Sequence, residues 1–248
     1  MSLPSNIENE SKIRQFFSFP GMDSESAIWQ LVKVYTNPKA VHRIIRTHRH
    51  TRGHWGRDDP SFLILETLLI FIVALIWYLI PFTSYSLNSF FKVIFSFIIV
   101  DFYISGIITS TILWYYLNHW GKAPRSAHSV EQDVEWQFCF DSYCNAFTAI
   151  IVDIDLGFIF IKFLQHFSQN WFVRIFLPNL LLSCGIIHFI LLAVPCIMVL
   201  PFLKSLRIWI YVLIVIIVFL LSLIFSFPFG DVWMNFHFLA LKSAEKVL

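Results

Sequence analysis

"IWIYVLIVIIVFLLSLIFSFPF", residues 208–229, holds no charged residue. A helix that crosses a bilayer needs about 20 consecutive apolar residues. In hydrocarbon a backbone must satisfy its own hydrogen bonds, so this stretch predicts a transmembrane α-helix. Working outward, four more stretches read the same way: Ser61 to Phe82, Val93 to Leu117, Ala146 to Gln165 and Phe176 to Leu200. The chain as a whole is 57% hydrophobic and only 14% charged, with 28 Phe and 9 Trp, which excludes an ordinary soluble domain. The predicted fold class is an all-α membrane protein, with five transmembrane helices preceded by cytosolic amphipathic basic helices.

Four regions follow. Residues 1–30 form a polar, disordered tail and residues 31–57 a basic arm. Residues 58–230 form the membrane domain, and residues 231–248 a short lumenal tail. No cleavable signal is visible in the polar first 60 residues, so the first span is expected to act as its own signal. No internal repeat points to an inverted-repeat transporter. Cys139, Cys144, Cys184 and Cys196 match no zinc spacing and read as small buried hydrophobes.

Lys and Arg placement sets the orientation. Nine precede the first span, and Lys122, Arg125, Lys204 and Arg207 fall on the same side, giving thirteen there against five opposite. The N-terminus is therefore expected in the cytosol and the C-terminus in the lumen. Residues 33–57 carry seven Lys or Arg, four His and no acid. Asn37-Pro38 is a helix start. Ile28, Leu31, Val32 and Tyr35 make one apolar stripe, and Val41, Ile44, Ile45 and His48 another. Two surface helices resting on anionic lipid of the cytosolic leaflet are expected. Nucleic acid is an unlikely partner, because no nucleic-acid-binding fold accompanies the arginines. His48, His50 and His54 lack the Cys or carboxylate neighbours of a metal site, and no cofactor is expected.

The lead-in to the third span is polar. On a helix at 100° per residue, Asp133, Gln137, Asp141, Cys144, Asn145 and Thr148 lie within about 120° of one another. Trp136, Phe140, Tyr143 and Phe147 take the other side. Asp141 and Asn145 should therefore face other helices. Asp101, Asp153, Asp155 and His188 fall inside spans, where ionisable groups are candidates for function or for interhelical hydrogen bonding. Continuing the same helix puts Asp155 on the polar face and Asp153 nearly opposite. Asp101 and His188 are expected within reach of each other or of Asp155. No nucleophile or metal constellation of an enzyme is present in the pattern. Two classes of function remain, a non-enzymatic adaptor and a small multi-span transporter using the midspan acids.

Several motifs bear a resemblance to the Unc-fifty family of Golgi membrane proteins: "RDDPSFL" at 57–63, "DVEW" at 133–136, "FDSYCNAF" at 140–147 and "LPFLK" at 200–204. It covers about residues 33–230 and implies a five-span protein of the Golgi membrane acting in vesicle-mediated protein transport. It further implies recruitment of large Arf guanine-nucleotide exchange factors and support for traffic of cargo membrane proteins. The endoplasmic reticulum or inner nuclear membrane is the alternative location. Arg57, Asp58, Asp59, Pro60, Asp101, Asp133, Glu135, Trp136, Asp141, Asn145, Phe147, Pro201 and Lys204 match the family pattern, whereas Asp153 and Asp155 depart from it. With the charge count, the motifs converge on the cytosolic face. This makes Arg57, Asp58, Asp59, Asp133, Glu135, Trp136 and Lys204 candidate partner-binding residues. Asp101, Asp141, Asn145, Asp155 and His188 are the intramembrane polar candidates.

Overall fold

The computed structural model of the chain describes residues 24–79, 87–124, 132–168 and 170–233, apart from the side chains of residues 48, 50–52 and 89. The regular structure of these residues is helical, save one antiparallel bridge between Lys122 and Leu203. Helices α1 (Ser24–Thr36), α2 (Pro38–Arg52) and α3 (Ser61–Leu79) come first. Helix α4 runs through Leu87–Ile94, a π-helical stretch Phe95–Ile104, then Ser105–Tyr116 and Leu117–Gly121. Helix α5 runs through Trp136–Ala149, a π-helical stretch Ile150–Asp155, and Leu156–Phe167. Helix α6 comprises Phe172–Phe176 and Leu177–Ile197, and α7 is Ile208–Ile224.

Among the described residues three stretches are long and apolar enough to cross a membrane: Ser61–Leu79, Phe90–Gly121 and Phe172–Ile197. Helix α5 has the length but carries Asp141, Asp153, Asp155 and Lys162. Helix α7 has 17 residues rather than the 22 expected from its apolar run. It stops early because Ser226 takes a left-handed φ of 50°, and the Phe227 N–H folds back onto the Ser222 carbonyl at 2.8 Å.

Successive helices from α3 to α7 alternate in direction. At one end α3, α5 and α7 begin and α4 and α6 finish, as bonds from Trp55 to Glu135, Val134 to Asn118 and Lys204 to Gly121 show. At the other end Asn179 of α6 bonds Ser222 of α7. Helix α5 is the central post, with every residue from Ser142 to Ala149 buried. Small residues let its neighbours approach. A Cβ on Gly185 of α6 would lie 2.3 Å from Cγ1 of Ile154, and one on Gly106 of α4 would lie 2.6 Å from the Tyr143 ring. Gly185→Val should therefore overpack the α5–α6 seam and cost about 2 kcal/mol. Thermal unfolding of the purified chain in one fixed detergent would report this, and an unchanged midpoint would refute the close approach.

The basic arm differs from expectation. Helices α1 and α2 form a hairpin joined at Asn37, with Pro38 opening α2 as read from the sequence. One side of each helix packs against the bundle, which the sequence reading did not include. Val34 and Val41 are buried against Ala146, Ala149 and Leu192. The apolar stripe of α1 is split. Leu31 packs on the core, whereas Ile28 and Val32 point outward. A helix can be apolar on two sides when protein covers one of them. Of the cysteines, Cys184 is exposed, while Cys139, Cys144 and Cys196 are buried.

Candidate functional site

The segment 53–60 joins α2 to α3 and lies across the start of α5. Gly53, at φ 83°, closes α2 with its N–H on the Arg49 carbonyl. Glu135 occupies the N-cap position of α5, yet its carboxylate does not cap its own helix. It reaches across instead, accepting the Trp55 N–H at 2.9 and 3.1 Å and the Gly56 N–H at 2.9 Å. Three charge-assisted bonds to one carboxylate fix a segment that has no helix or strand of its own to satisfy it. His54 donates through Nδ1 to the Gly56 carbonyl at 3.0 Å, and its Nε2 lies 3.0 Å from Asp58. Asp59 accepts the Ser61 N–H at 2.9 Å, at the first residue of α3.

Arg57 is the focus of the polar face on α5. Its N–H donates to Asp141 at 2.7 Å, its carbonyl accepts from Gln137, and its guanidinium donates to Asn145. Gln137, Asp141 and Asn145 are spaced four apart, so three successive turns of one helix hold one residue. The guanidinium also sits 4.0 Å from the centre of the Phe62 ring. Gln30 of α1 reaches Asn145 at 3.4 Å, so α1, α5 and the 53–60 segment meet there. Asp141 and Asn145 thus face protein, as their shared face with Gln137 required. Below them Thr148 donates to the fully buried Glu66 at 3.5 Å.

The same end carries a second clasp. The Ala123 N–H bonds the Phe202 carbonyl at 3.0 Å, and the Lys204 N–H bonds the Gly121 carbonyl at 2.8 Å. The segments after α4 and α6 are zipped together this way. Lys204 donates its exposed Nζ to the Trp120 carbonyl at 2.9 Å. Lys122 pairs with Asp133, whose side chain is 76% exposed, a surface pair worth about 0–1 kcal/mol. Asn118 holds both backbone groups of Val134. Trp136, exposed, stacks on Phe140 and donates to Thr111 at 3.1 Å. The segments holding "RDDP", "DVEW" and "LPFLK" therefore do share one end of the bundle.

The sequence of the UNC-50 family matches residues 12–238. This chain belongs to the UNC-50 family. It is 36% identical over 208 residues to protein GMH1 of Saccharomyces cerevisiae, covering 79% of this chain and 74% of the yeast protein. It is 30% identical over 200 residues to the unc-50 homolog of Dictyostelium discoideum, covering 80% and 75% of the two chains. Against the Drosophila melanogaster unc-50 homolog it is 28% identical over 238 residues, covering 95% and 83%. No solved structure matches.

Further along the helices of this UNC-50 protein, Asp101, Asp153, Asp155 and His188 are arranged differently from the sequence expectation. His188 of α6 does not turn to Asp101 or Asp155. Its Nδ1 lies 2.6 Å from Asp153, the aspartate the helical wheel had turned away from the polar face. The other oxygen of Asp153 accepts the Tyr35 hydroxyl at 2.7 Å, and the Tyr35 and His188 rings meet edge-on at 4.8 Å. The physical cause lies in Ile150–Asp155. A π-helix closes i→i+5 rings, so each residue turns through a smaller angle and the face drifts. Asp155 is buried, and its carbonyl accepts the Trp77 indole at 3.0 Å. Asp101 sits in the π-helical part of α4, where its carbonyl accepts the Tyr143 hydroxyl at 3.1 Å. It lines a cavity of about 540 Å³ with Asn179, Ser183 and apolar residues of α7.

Tyr35 is held neutral. The hydrogen bond to Asp153, then burial, pushes its hydroxyl from 10.0 up to about 12. The sequence reads Tyr35 only as part of an apolar stripe and gives no signal for Gln30, while it singles out Gln137 and Asp153 without naming their partners. Each partner lies on another part of the chain, Asn145 for Gln30, Asp153 for Tyr35, the Arg57 carbonyl for Gln137 and His188 for Asp153. The side chains of His48 and His50 lie outside the described residues.

Proposed function

We propose that the chain is a non-enzymatic adaptor of the Golgi membrane, serving vesicle-mediated transport by recruiting a large Arf guanine-nucleotide exchange factor and supporting traffic of cargo membrane proteins. The reading takes five spans from the apolar runs, and a cytosolic N-terminus and lumenal C-terminus from the thirteen-to-five split of Lys and Arg. The observation that carries it is the meeting of three segments distant in sequence at one end of the bundle. Each is locked by backbone hydrogen bonds, which gives a partner a fixed surface. A lipid-facing protein needs no such locked, charged end, whereas a docking surface gains affinity from preorganisation.

The geometry divides the candidate residues by task. Lys204, Asp133, Trp136 and Asp58 present exposed groups to a partner. Arg57, Glu135 and Asp59 act from beneath, by holding the segment that forms the surface. Lys204→Glu with Asp133→Lys should leave thermal unfolding within about 1 kcal/mol of the native chain, because both sites are solvated. The same pair should abolish Golgi association of the exchange factor, since like charges across an interface repel. The test is exchange-factor localisation in cells expressing each form at matched levels. Normal recruitment by the double variant would sink the adaptor reading.

The transporter reading has its own support in the cluster of Tyr35, Asp153 and His188. Asp153→Asn together with His188→Gln separates the two. An adaptor keeps recruiting after that change, whereas a transporter loses all function with its recruitment surface intact.

A further inference from the structure

Beside the clasp at this end lies a cavity of about 720 Å³ between α2 and the segment that follows α6. Arg46 and Arg49 form one wall, with Gln132 nearby, and Trp55, Met198 and Pro201 supply apolar surface. The two arginines are three apart, so they stand on the same side of α2. Arg49 lies 5.5 Å from the Trp55 ring centre. Among the described residues, neither arginine forms an ion pair with a carboxylate, and Gly53 at the cavity edge adds no side chain. Among the described residues, Glu135 is engaged by two backbone N–H groups and Asp133 by Lys122.

We infer that this cavity binds the phosphomonoester headgroup of a lipid of the cytosolic leaflet, with Arg46 and Arg49 as the anion-binding pair. The inference rests on the reading of this end as cytosolic. A guanidinium presents a planar fork that matches phosphate oxygens in pairs, and two forks that form no ion pair among the described residues match a group carrying about −1.5 to −2 charges. The size lies within the usual range of ligand cavities, about 300–1,000 Å³. The apolar side formed by Met198 and Pro201, at the end of a membrane-crossing stretch, favours a lipid over a soluble phosphate or an acidic peptide, because it offers surface to the glycerol and upper acyl carbons. A docked headgroup would place the leaflet's chemistry next to Lys204 and Asp133, so that a partner meets protein and lipid together.

The test uses the full chain in detergent micelles, titrated with dioctanoyl phosphatidic acid and followed by thermophoresis. Dioctanoyl phosphatidylglycerol, dioctanoyl phosphatidylcholine, inorganic phosphate and an octaglutamate peptide are the comparison probes. Saturable binding of phosphatidic acid, at least tenfold weaker for phosphatidylglycerol and undetectable for phosphatidylcholine, is expected. Arg46→Gln with Arg49→Gln should weaken binding at least tenfold. Arg43→Gln, on the same helix and outside the cavity, should change it less than twofold. Gln132→Glu, which leaves α2 untouched, should weaken binding as well and serves if the double variant fails to fold. Equal losses for Arg43→Gln and the double variant would overturn the inference, since they mark a diffuse basic surface. So would inorganic phosphate competing at the same concentration as the lipid, or octaglutamate binding more tightly. Absent lipid binding alongside loss of recruitment in the Lys204 and Asp133 variant would sink this inference alone and leave the adaptor reading standing.

Discussion

Glu135→Lys is expected to unfold the 53–60 segment and to lower the stability of the whole chain by about 3 kcal/mol or more. One carboxylate satisfies the backbone N–H groups of Trp55 and Gly56, both buried residues. Each buried donor left without a partner costs about 1–3 kcal/mol, and a lysine brings an ammonium where an acceptor stood. The Arg57 guanidinium lies further along the same segment, so losing the anchor should also release its bonds to Asp141 and Asn145. Glu135→Gln keeps one acceptor oxygen and should cost about 1 kcal/mol. The measurement is thermal unfolding of the purified chain in detergent, with limited proteolysis mapping the site of first cleavage. A Glu135→Lys protein that melts with the native chain and resists cleavage between 53 and 60 would refute this account. The result also separates two kinds of charge change: Lys204→Glu acts on a partner, and Glu135→Lys acts on the fold.

The second large effect concerns Asp153. Asp153→Ala should free α1 from the bundle, because Tyr35 and His188 lose their shared acceptor in one step. A loss of about 2–3 kcal/mol is expected, since hydrogen bonds to a charged acceptor contribute about 1.5–3 kcal/mol each, and exposure of the carboxylate lowers the sum. Hydrogen exchange should quicken through Ser24–Thr36 while α3 stays protected. Alkali should do the same to the native chain. The folded Tyr35 holds its proton up to about 12 against 10.0 in the unfolded chain. Its contribution is therefore complete below pH 10 and disappears as pH rises from 10 to about 12. In Tyr35→Phe that part of the alkaline loss should vanish. Unchanged exchange in α1 after Asp153→Ala would show that apolar contacts of Ala27, Leu31 and Val34 alone hold the helix.

Much of this protein follows from its sequence alone, because the rules for lipid are severe. A run such as Ile208–Ile224 has no charge to solvate, and only a helix satisfies its backbone without water. The polar face of α5 was equally legible, because Gln137, Asp141 and Asn145 recur at the helical period and groups of that kind must avoid lipid. What they bind was not legible. Arg57 lies 80 to 88 positions away in sequence, and nothing in local periodicity names a partner at that distance. For the same reason Arg57 and Glu135 looked like surface charges until the fold placed backbone N–H groups and an asparagine against them. The wheel also failed at Asp153, because it assumes one rotation per residue and Ile150–Asp155 is wound more widely. Helix α1 shows the remaining gap. Its outward Ile28 and Val32 and inward Leu31 belong to a single apolar stripe in the sequence. Only packing against α3 and α5 decides which side is core, since burial depends on which surfaces are near and not on hydrophobicity alone.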